Sequence, residues 1–448
     1  MAENRKVQKI AITGAGLVGS LAALFLAKRG YEVSVFERRP DPRQNEFKGG
    51  KSINLALSNR GWLPLTKAGI IEKVRKMIIP MKGRMMHSID SQLTFQPYGK
   101  SDQAINSISR SGLNELLMNE AESCGTKIEF ESQCLNVDIN NTMLTLKSAK
   151  GTKQLQFDLI IGADGAFSAI RSALQKTDRF DFSQYYIPHG YKELSIPAGS
   201  SGEFLLEKNA LHIWPRGSFM LIALPNLDAS FTVTLFLAFE GEHSFDSLNN
   251  IKEVHSFFNT QFPDAVPFLS SLDSEWVSNP TSSLVTVKSY PWNRNKTLLI
   301  GDAAHAIVPF YGQGMNCGFE DCRVLNDMLD HFEDDWDRLL PEFQESRKPD
   351  ADAIADLALQ NFIEMRDLVA NENFLLRKKI EARIHDLFPD KWIPLYSMVT
   401  FNESIRYSEA LELGKKQTRI MDRVMESKNI AQEWESLDFQ GLVAKLGD

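Results

Sequence analysis

Residues 7–19 read VQKIAITGAGLVG, and this stretch decides the fold. It begins with an apolar run typical of a β-strand and ends with three glycines spaced as G-x-G-x-x-G. The next segment, LAALFLAKRG (21–30), places apolar residues at helical spacing, and VSVFE (33–37) has the composition of a second strand. A strand, a glycine turn, a helix and a strand in this order predict the first unit of a Rossmann-like α/β domain.

The three glycines of this turn have separate tasks. Gly14 permits a tight turn, Gly16 lets a pyrophosphate approach the backbone, and Gly19 lets the helix pack closely on the strand. The helix N-terminus presents N–H groups and a partial positive charge to phosphates. Glu37 ends the second strand 18 residues after Gly19, where an acidic side chain binds adenosine ribose hydroxyls. The stretch predicts a dinucleotide site without distinguishing FAD from NAD(P).

Composition limits the class of protein and its partners. The 448 residues exceed one ordinary domain, and 43% hydrophobic with 24% charged residues is typical of a globular protein. A net charge of −8 argues against a nucleic-acid partner, because the chain has no excess of Lys and Arg to neutralise phosphates. Four cysteines are too few for a disulfide framework, so we expect a reducing, cytoplasmic compartment. A monomer and a homodimer are both compatible with these numbers.

The chain carries no sequence signal for membrane insertion. No apolar run reaches the ~18 residues that a membrane span requires. The most apolar window, 218–239, is interrupted by Pro225, Asn226 and Asp228, which predict a turn between two strands. Neither end of the chain reads as a signal peptide or a membrane anchor.

The sequence between the motifs indicates a helix and two kinds of sheet. A helix is predicted across 111–123 with Ser111 as N-cap. A small β-meander is predicted from the alternating or apolar runs at 128–134, 143–148 and 155–161. From 181 to 290, aromatic and β-branched runs separated by turn residues predict a mostly antiparallel sheet.

After residue 318 the pattern is helical, with a break at 388–396. The predicted fold class is therefore α/β: a Rossmann-like dinucleotide-binding domain, an inserted, mostly antiparallel β-sheet domain and a C-terminal helical region. The predicted boundaries are 1–75, 100–180 and 290–335 for the first domain, 76–99 and 181–289 for the second, and 336–448 for the third.

A second motif lies at 158–171, DLIIGADGAFSAIR. A buried strand delivers Asp164 and Gly165 into a turn, Ser168 is placed to cap the next helix, and Arg171 follows in its first turn. Taken alone, this is an ordinary strand-to-helix turn.

A third motif, GDAAHAIVPFYGQGMNCGFED (301–321), follows the apolar run TLLI. Asp302 stands at the end of a strand, where a carboxylate accepts hydrogen bonds from ligand hydroxyls. Pro309 stiffens the loop, Gly312 and Gly314 clear side chains from its surface, and a helix is predicted to start near 315–316. The segment 312–318 is one residue too long to be a second dinucleotide fingerprint.

In this order, the three motifs resemble the single-component FAD-dependent aromatic hydroxylases, in which they build one flavin site. The resemblance implies FAD as cofactor, with Asp302 at the ribityl chain, the backbone of 314–316 at the flavin pyrimidine edge, and Arg110 in contact with the flavin. The implied cofactor-binding residues are Gly14, Gly16, Val18, Gly19, Glu37, Arg38, Ala56, Arg110, Leu135, Asp164, Asp302, Pro309, Gly314, Met315 and Asn316.

Further pieces resemble the kynurenine 3-monooxygenase branch of that family, up to about residue 407. They are KSINLALSNRG (51–61), the pair Arg84 and Tyr98, NFIEMRD (361–367) and IPLYSMVTF (393–401). The implied substrate-binding residues are Arg84, Tyr98, Asn361, Glu364, Met365, Tyr396, Phe310 and Tyr311. Arg84 would bind the substrate carboxylate through two hydrogen bonds, Tyr98 and Asn361 would add further ones, and Glu364 would act on the ammonium group.

The resemblance implies NADPH-dependent 3-hydroxylation of L-kynurenine. NADPH would reduce FAD, O₂ would add to the flavin as a C4a-hydroperoxide, and the substrate ring would attack its distal oxygen. The anilino nitrogen already donates electron density to the reacting carbon, so no catalytic acid or base is implied, and the protein positions the reactants and excludes water. NADPH would bind transiently, without a domain of its own.

Two alternatives remain open at this point, namely hydroxylation of another aromatic acid and a flavin-fold protein that binds without catalysis. No metal site is predicted, because Cys317 and Cys322, spaced C-x4-C, have no second pair and no flanking His to complete a ligand set. His305 is interpreted as structural.

Overall fold

The computed structural model describes residues 8–44, 54–98, 103–364 and 372–447. In the N-terminal part of the chain, the elements are β1 (Lys9–Thr13), α1 (Leu17–Lys28), β2 (Glu32–Phe36), β3 (Asn54–Leu57), α2 (Asn59–Lys67), α3 (Ile71–Arg75), β4 (Ile78–Met81), β5 (Gly83–His87), β6 (Leu93–Pro97), β7 (Ile105–Ser109), α4 (Arg110–Ser123), β8 (Lys127–Glu129), β9 (Gln133–Asp138), β10 (Met143–Ser148), β11 (Gly151–Gln156), β12 (Leu159–Gly162) and α5 (Ala169–Leu174).

The middle and C-terminal parts follow the predicted change from strand-rich to helical sequence. The middle part consists of β13 (Asp181–Ile196), β14 (Ala210–Pro215), β15 (Met220–Pro225), β16 (Phe231–Ala238), α6 (Ile251–Gln261), α7 (Leu272–Ser278) and β17 (Thr281–Tyr290). The last part consists of β18 (Asn293–Arg294), β19 (Thr297–Leu299), α8 (Asp302–His305), α9 (Gly314–His331), α10 (Trp336–Ile363), α11 (Glu372–Leu387), α12 (Leu395–Thr400), α13 (Tyr407–Met425), α14 (Ile430–Glu433) and α15 (Phe439–Ala444).

The dinucleotide unit is built on a six-stranded sheet in the order β18-β19-β12-β1-β2-β8. Its strands are parallel from β19 to β8, and β18 pairs antiparallel at one edge. Residues 10–12 and 159–161 are fully buried apolar runs, as expected for strands covered by helices on both faces. The predicted Rossmann-like α/β arrangement is confirmed, and the glycine turn lies at the carboxyl end of β1.

Two local predictions about this region were wrong. The antiparallel meander contains only β9, β10 and β11, whereas β8 and β12 belong to the parallel sheet. Strand β12 is buried along its whole length, as a central parallel strand is, but its apolar sequence alone does not distinguish the two sheets. Helix α4 begins at Arg110, one residue earlier than predicted, because Ser109 and not Ser111 is its N-cap and accepts a hydrogen bond from the Gly112 N–H at 3.2 Å.

A seven-stranded sheet, in the order β17-β13-β16-β15-β14-β5-β6, faces the cofactor domain. Every pairing is antiparallel except that of β14 with β5. The predicted turn between strands at 225–228 joins β15 to β16, closed by a 2.8 Å hydrogen bond from the Asn226 N–H to the Ser230 carbonyl. Strand β4 does not belong to this seven-stranded sheet. It pairs with β7, which also pairs with β3.

The two faces of this sheet pack against different helices. One face packs on α6 and α7, and the other packs on α10, α12 and α13 through residues such as Ile354, Phe362 and Met398. The helical C-terminal region and its break between α11 and α12 are as predicted. In the described ranges, every helix is too short or too polar to cross a membrane.

A buried hydrogen-bonded chain of Asp264, His87 and His212 lies on the α6–α7 side of this sheet. His87 joins Asp264 through Nδ1 at 2.6 Å and the His212 Nδ1 through Nε2 at 2.9 Å. The Nε2 of His212 lies 2.9 Å from the Glu207 carbonyl oxygen. Burial lowers the pKa of His212 to about 4.

This lowered pKa predicts a loss of stability in mild acid. His212 stays neutral in the folded protein but protonates near pH 6.5 in the unfolded chain. The folded state therefore loses stability as pH falls from about 6.5 towards 4. Between pH 8 and pH 5 we expect His212 to account for about 2 kcal/mol of the fall in unfolding free energy. Urea unfolding at both pH values should show a smaller fall in His212→Gln than in the wild type.

The exposed His255 provides the control for this measurement, because it lies at the surface beside Asp273. His255→Gln should keep the wild-type dependence on pH. An equal fall in the wild type and in His212→Gln would contradict the assignment.

Candidate active site

The glycine turn after β1 has the geometry that a pyrophosphate requires. Gly14 has φ +94°, and a Cβ there would lie 2.5 Å from the Ala163 carbonyl oxygen. A Cβ on Gly19 would lie 2.0 Å from the Gly14 carbonyl oxygen, so the helix packs there only without a side chain. A Cβ on the exposed Gly16 would meet nothing within 4 Å, which leaves its surface open to a ligand. The residues fit a bound dinucleotide phosphate.

The side chains around this turn connect it to neighbouring elements. One Glu37 carboxylate oxygen accepts a hydrogen bond from the Ala15 N–H at 2.9 Å, and the other accepts from the Arg39 N–H at 3.0 Å. Arg38 is exposed beside it. Val18 packs on Gly301, where a Cβ would lie 3.1 Å from both its methyl groups, so the first motif contacts the start of the third.

The second motif is more than an ordinary turn. Asp164 accepts a hydrogen bond from the Ala169 N–H through Oδ2 at 2.7 Å, while its buried Oδ1 has no partner among the described residues. Burial raises the pKa of this carboxyl. Ser168 caps α5 as predicted, and Arg171 donates to the Ala303 carbonyl at 2.8 Å. The motif is thereby bound to the third motif, and one Asp164 oxygen remains available to a ligand.

Asp302 opens the one-turn helix α8 just beyond the carboxyl end of β19. The Asp302 side chain is in contact with solvent, but the protein atoms around it remove part of its hydration. This desolvation raises the pKa of the Asp302 carboxyl, as expected inside a cleft. The charge of Arg110, at the start of α4, acts against that rise. Arg110 also acts on Glu193, whose pKa burial raises to about 7.

The loop between α8 and α9 is shaped by Gly312 and braced by Asn316. Gly312 adopts the left-handed conformation, and α9 begins at Gly314, within two residues of the predicted start. The buried Asn316 amide accepts from the Ser58 N–H at 3.1 Å and donates to the Ala56 carbonyl at 2.9 Å and to the Gly312 carbonyl at 2.7 Å. Its side chain therefore holds the loop, and the contact of its backbone with the cofactor stays a prediction.

Other predicted cofactor residues lie on the segments that these contacts join. Ala56 is half-buried on β3, Pro309 is exposed at the start of a 3₁₀ turn, and Met315 is half-buried on α9. Leu135 on β9 is 46% exposed, next to Cys134, on which the charge of Asp164 acts.

Four of the predicted substrate residues form a cluster of three aromatic rings and a half-buried arginine. The Tyr396 ring stacks between those of Tyr98 and Tyr311, with centroids 5.6 and 5.4 Å away and tilts of 13° and 20°. The Arg84 Cζ lies 4.7 Å from the Tyr396 centroid and 5.6 Å from that of Tyr98. Four residues from β5, the end of β6, the loop before α9 and α12 are thus brought together.

Electrostatics keep this arginine charged. Burial alone would lower the pKa of Arg84, but the phenolic oxygens of Tyr396 and Tyr98 and the charge of Glu364 raise it above its ordinary value. Burial raises the pKa of Tyr98, whose hydroxyl has no hydrogen-bond partner of good geometry in the described part of the chain. A cation and an unpaired phenol side by side are the groups that bind a carboxylate.

Phe310 and Asn361 form the adjoining wall. The Phe310 ring stacks on Phe362 at 4.1 Å and lies 5.0 Å from Phe236. Asn361 is buried on α10 and donates from Nδ2 to the Phe310 carbonyl at 2.6 Å, so it supports this wall. Glu364 follows α10, 3.7 Å from the Lys378 ammonium group.

Met365 and residues 51–53 lie outside the described residues.

Comparison with known proteins identifies the family. The FAD binding domain family matches residues 7–358. Curated kynurenine 3-monooxygenases are similar over nearly the whole chain: that of Christiangramia forsetii is 48% identical over 99% of both chains, and that of Dictyostelium discoideum is 43% identical over 94% of both. The chain belongs to the kynurenine 3-monooxygenase family.

Membership of the kynurenine 3-monooxygenase family settles the dinucleotide as FAD. Solved structures support the fold alone. The tetrameric form of 2-methyl-3-hydroxypyridine-5-carboxylic acid oxygenase has 21% identity and a TM-score of 0.68 over 85% of this chain and 97% of its own. Tetracycline destructase Tet(51) has 18% identity and a TM-score of 0.61 over 89% and 97%.

Sequence reasoning missed a buried ionic group beneath residues 301–316 of this kynurenine 3-monooxygenase family member, a segment here called the cofactor loop. Asp321 accepts from the Gly301 N–H at 3.0 Å and from the Arg347 Nε at 2.9 Å, and lies 2.6 Å from the His305 Nε2. Burial would raise the pKa of Asp321, but His305 and Arg347 lower it to about 2. The available signal was the acidic residue that ends the third motif, one helical turn after the buried Cys317.

His305, Cys317 and Asp321 bring potential ligand atoms within 4.8 Å of one another. The Arg347 guanidinium already neutralises the Asp321 carboxylate, which disfavours a cation there. His305 is thus structural in its contacts, as interpreted from the sequence, and Cys317 and Cys322 are buried free thiols.

Gly16 allows folding and cofactor binding to be separated experimentally. Gly16→Val adds a side chain into open space, so we expect the apoprotein to unfold within a few degrees of the wild type, while its Kd for FAD rises by at least about tenfold because the side chain obstructs the phosphates. Flavin fluorescence titration and thermal unfolding measure the two effects. Gly14→Val is the contrasting variant, because its Cβ meets backbone and it should lose stability. Unchanged FAD affinity in Gly16→Val would contradict the site.

Proposed function

We propose that the protein is an NADPH-dependent flavoprotein monooxygenase that converts L-kynurenine to 3-hydroxy-L-kynurenine. The observation that carries the proposal is the half-buried Arg84, whose guanidinium lies against the rings of Tyr98 and Tyr396, with the Tyr311 ring stacked on Tyr396. An aromatic amino acid requires this combination of a cation for its carboxylate and flat apolar surfaces for its ring. Family membership supports the choice of kynurenine among such acids.

In this proposal, each side of the site has a task. FAD, when bound, would supply the redox chemistry by which NADPH and O₂ are used, with O₂ as the source of the hydroxyl oxygen. Asp302 and the unpaired Asp164 oxygen would hold cofactor hydroxyls, with Glu37 at the adenosine ribose. The N-terminal N–H groups of α9 would stabilise negative charge on the reduced cofactor. Arg38, Ala56, Arg110, Leu135, Pro309 and Met315 complete the proposed cofactor contacts.

The substrate side positions the ring and excludes water. Arg84 and Tyr98 bind the carboxylate, Glu364 acts on the ammonium group, and the Phe310–Tyr311 turn separates the substrate from the cofactor. Met365, which the structure does not describe, is kept as a substrate contact on the family resemblance alone. The anilino nitrogen of kynurenine makes the neighbouring ring carbon electron-rich, so no side chain has to remove a proton before attack. Burial of the wall residues keeps water from the reacting oxygen.

A reducing compartment, the cytoplasm, is the proposed location. Its support is that all four cysteines are free thiols, two of them fully buried.

Removing the Arg84 charge should abolish substrate recognition and leave the flavin bound. We expect Arg84→Met to lower kcat/KM for L-kynurenine on the order of 100-fold, because leaving a charge without its buried partner costs about 2–5 kcal/mol. Arg84→Lys should retain part of the activity, since lysine keeps the positive charge but cannot form the two parallel hydrogen bonds that a guanidinium donates to a carboxylate. Steady-state NADPH oxidation and the 450 nm flavin absorbance measure both effects.

The control is Arg75→Met, a surface arginine whose side chain is 64% exposed, which should behave as wild type. Unchanged turnover in Arg84→Met would contradict the carboxylate role.

The substrate itself is tested by NADPH consumption with and without L-kynurenine, with the product identified by mass spectrometry. We expect fast consumption and a hydroxylated product only with kynurenine. Faster turnover of 4-hydroxybenzoate would favour another aromatic acid. Bound FAD that never oxidises NADPH with any aromatic acid would favour a non-catalytic flavin protein.

A further inference from the structure

Residues Ser58, Asn59 and Arg60, here called the clasp, have no assigned role in binding cofactor or substrate. They follow β3 directly and open α2. Arg60 is one of the largest fully buried side chains in the protein, at 2% exposure, and it is charged. Burying a guanidinium is costly unless its donors are satisfied, so its partners indicate what it is for.

One set of partners of the clasp lies on the segment 398–405, whose Phe401 ring contacts the rings of Tyr98 and Tyr396. The Arg60 Nε donates to the Val399 carbonyl at 2.8 Å. Its Nη2 lies within hydrogen-bond distance of the carbonyls of Met398 at 3.3 Å, Asn402 at 3.1 Å and Ile405. Asn59 donates from Nδ2 to the Phe401 carbonyl at 3.0 Å. Two adjacent side chains therefore bind five backbone carbonyls.

Two of these carbonyls, those of Met398 and Val399, belong to the last turn of α12, and the other three follow that helix. Helix α12 has only six residues, and its last carbonyls carry partial negative charge with no partner inside the helix. An arginine satisfies them with several donors in one plane. The same helix carries Tyr396, two residues before the first bound carbonyl, so the clasp fixes the helix that presents this ring.

The other side of the clasp is bound to the cofactor loop. The Ser58 N–H donates to the Asn316 Oδ1 at 3.1 Å, and its hydroxyl donates to the Gln313 Oε1 at 3.4 Å. Tyr407 donates to the same Gln313 oxygen at 2.9 Å, and its ring centroid lies 4.0 Å from the Arg60 Cζ. Glu320 on α9 lies 3.3 Å from the Arg60 Nη1.

We infer that the clasp sets the position of Tyr396 relative to the cofactor loop, and that Arg60 is a positioning residue for substrate recognition. The inference rests on the proposed function. Because three consecutive residues hold both the loop and the segment 398–405, the separation between cofactor and substrate wall is set by one short stretch of backbone. Arg60 acts through Tyr396 and touches no reacting atom.

The test compares Arg60→Lys with two further variants. Arg60→Lys keeps the charge but loses the several N–H donors of the guanidinium. Asn59→Ala removes a single hydrogen bond, the one to the Phe401 carbonyl. Arg294→Lys is the matched control: Arg294 also donates to carbonyls, those of Asp178 and Arg179, but at the far edge of the parallel sheet. We expect KM for L-kynurenine to rise at least about tenfold in Arg60→Lys and about threefold in Asn59→Ala, with FAD affinity within threefold of wild type and no change in KM in Arg294→Lys.

Hydrogen–deuterium exchange makes the test independent of the substrate. Peptides covering 395–407 should exchange faster in Arg60→Lys than in the wild type and in Arg294→Lys. Unchanged exchange in these peptides overturns the proposal, and so does an unchanged KM for L-kynurenine. A loss of FAD affinity that parallels the rise in KM also overturns it, because that result indicates a merely structural role for Arg60. A wild type that binds FAD but does not turn over L-kynurenine overturns the proposed function, while the exchange result still decides whether the clasp holds α12.

Discussion

The buried carboxylate of Asp321 holds the cofactor loop in place. It binds the Gly301 N–H before α8 and His305 at the end of that helix, and therefore fixes both ends of the turn that presents Asp302. A charge that is 0% exposed is costly by several kcal/mol unless it is paired. His305 and Arg347 supply that pairing, so the loop can adopt its shape only when α9 and α10 are packed beneath it.

Helix α10 extends this constraint to the substrate side. Arg347 binds Asp321 near the middle of the helix, and Asn361, 14 residues later and close to its C-terminal end, binds the Phe310 carbonyl. At 1.5 Å per residue, the two contacts are about 21 Å apart along one continuous helix. The same loop is held from beneath by Arg347 and from the side by Asn361, while the clasp attaches it to α12. Direct contacts therefore connect the segment proposed to hold the cofactor with α10 and α12, which carry proposed substrate residues.

Much of the fold and of the cofactor site was predictable because it depends on local sequence. Gly14, Gly16 and Gly19 act within one turn, and Ser168 caps a helix that starts at the next residue. The meander and the Ser111 cap were predicted wrongly for a related reason. An apolar run such as Leu159–Gly162 has the same appearance in either sheet, and Ser109 and Ser111 are equally good caps by type. Long-range packing made the choice in both cases.

The sequence by itself determined the order of elements, the Rossmann-like unit and the glycine geometry, because periodicity and turn chemistry act over a few residues. Its three motifs also determined the family resemblance. Only the tertiary structure decided that Arg84, Tyr98, Tyr311 and Tyr396 share one cluster, that Asp321 pairs with Arg347, and that Arg60 binds carbonyls more than 330 residues away. Those contacts join segments whose spacing along the chain carries no period, and the burial of charge and ring surface that makes them favourable exists only once the domains have packed together.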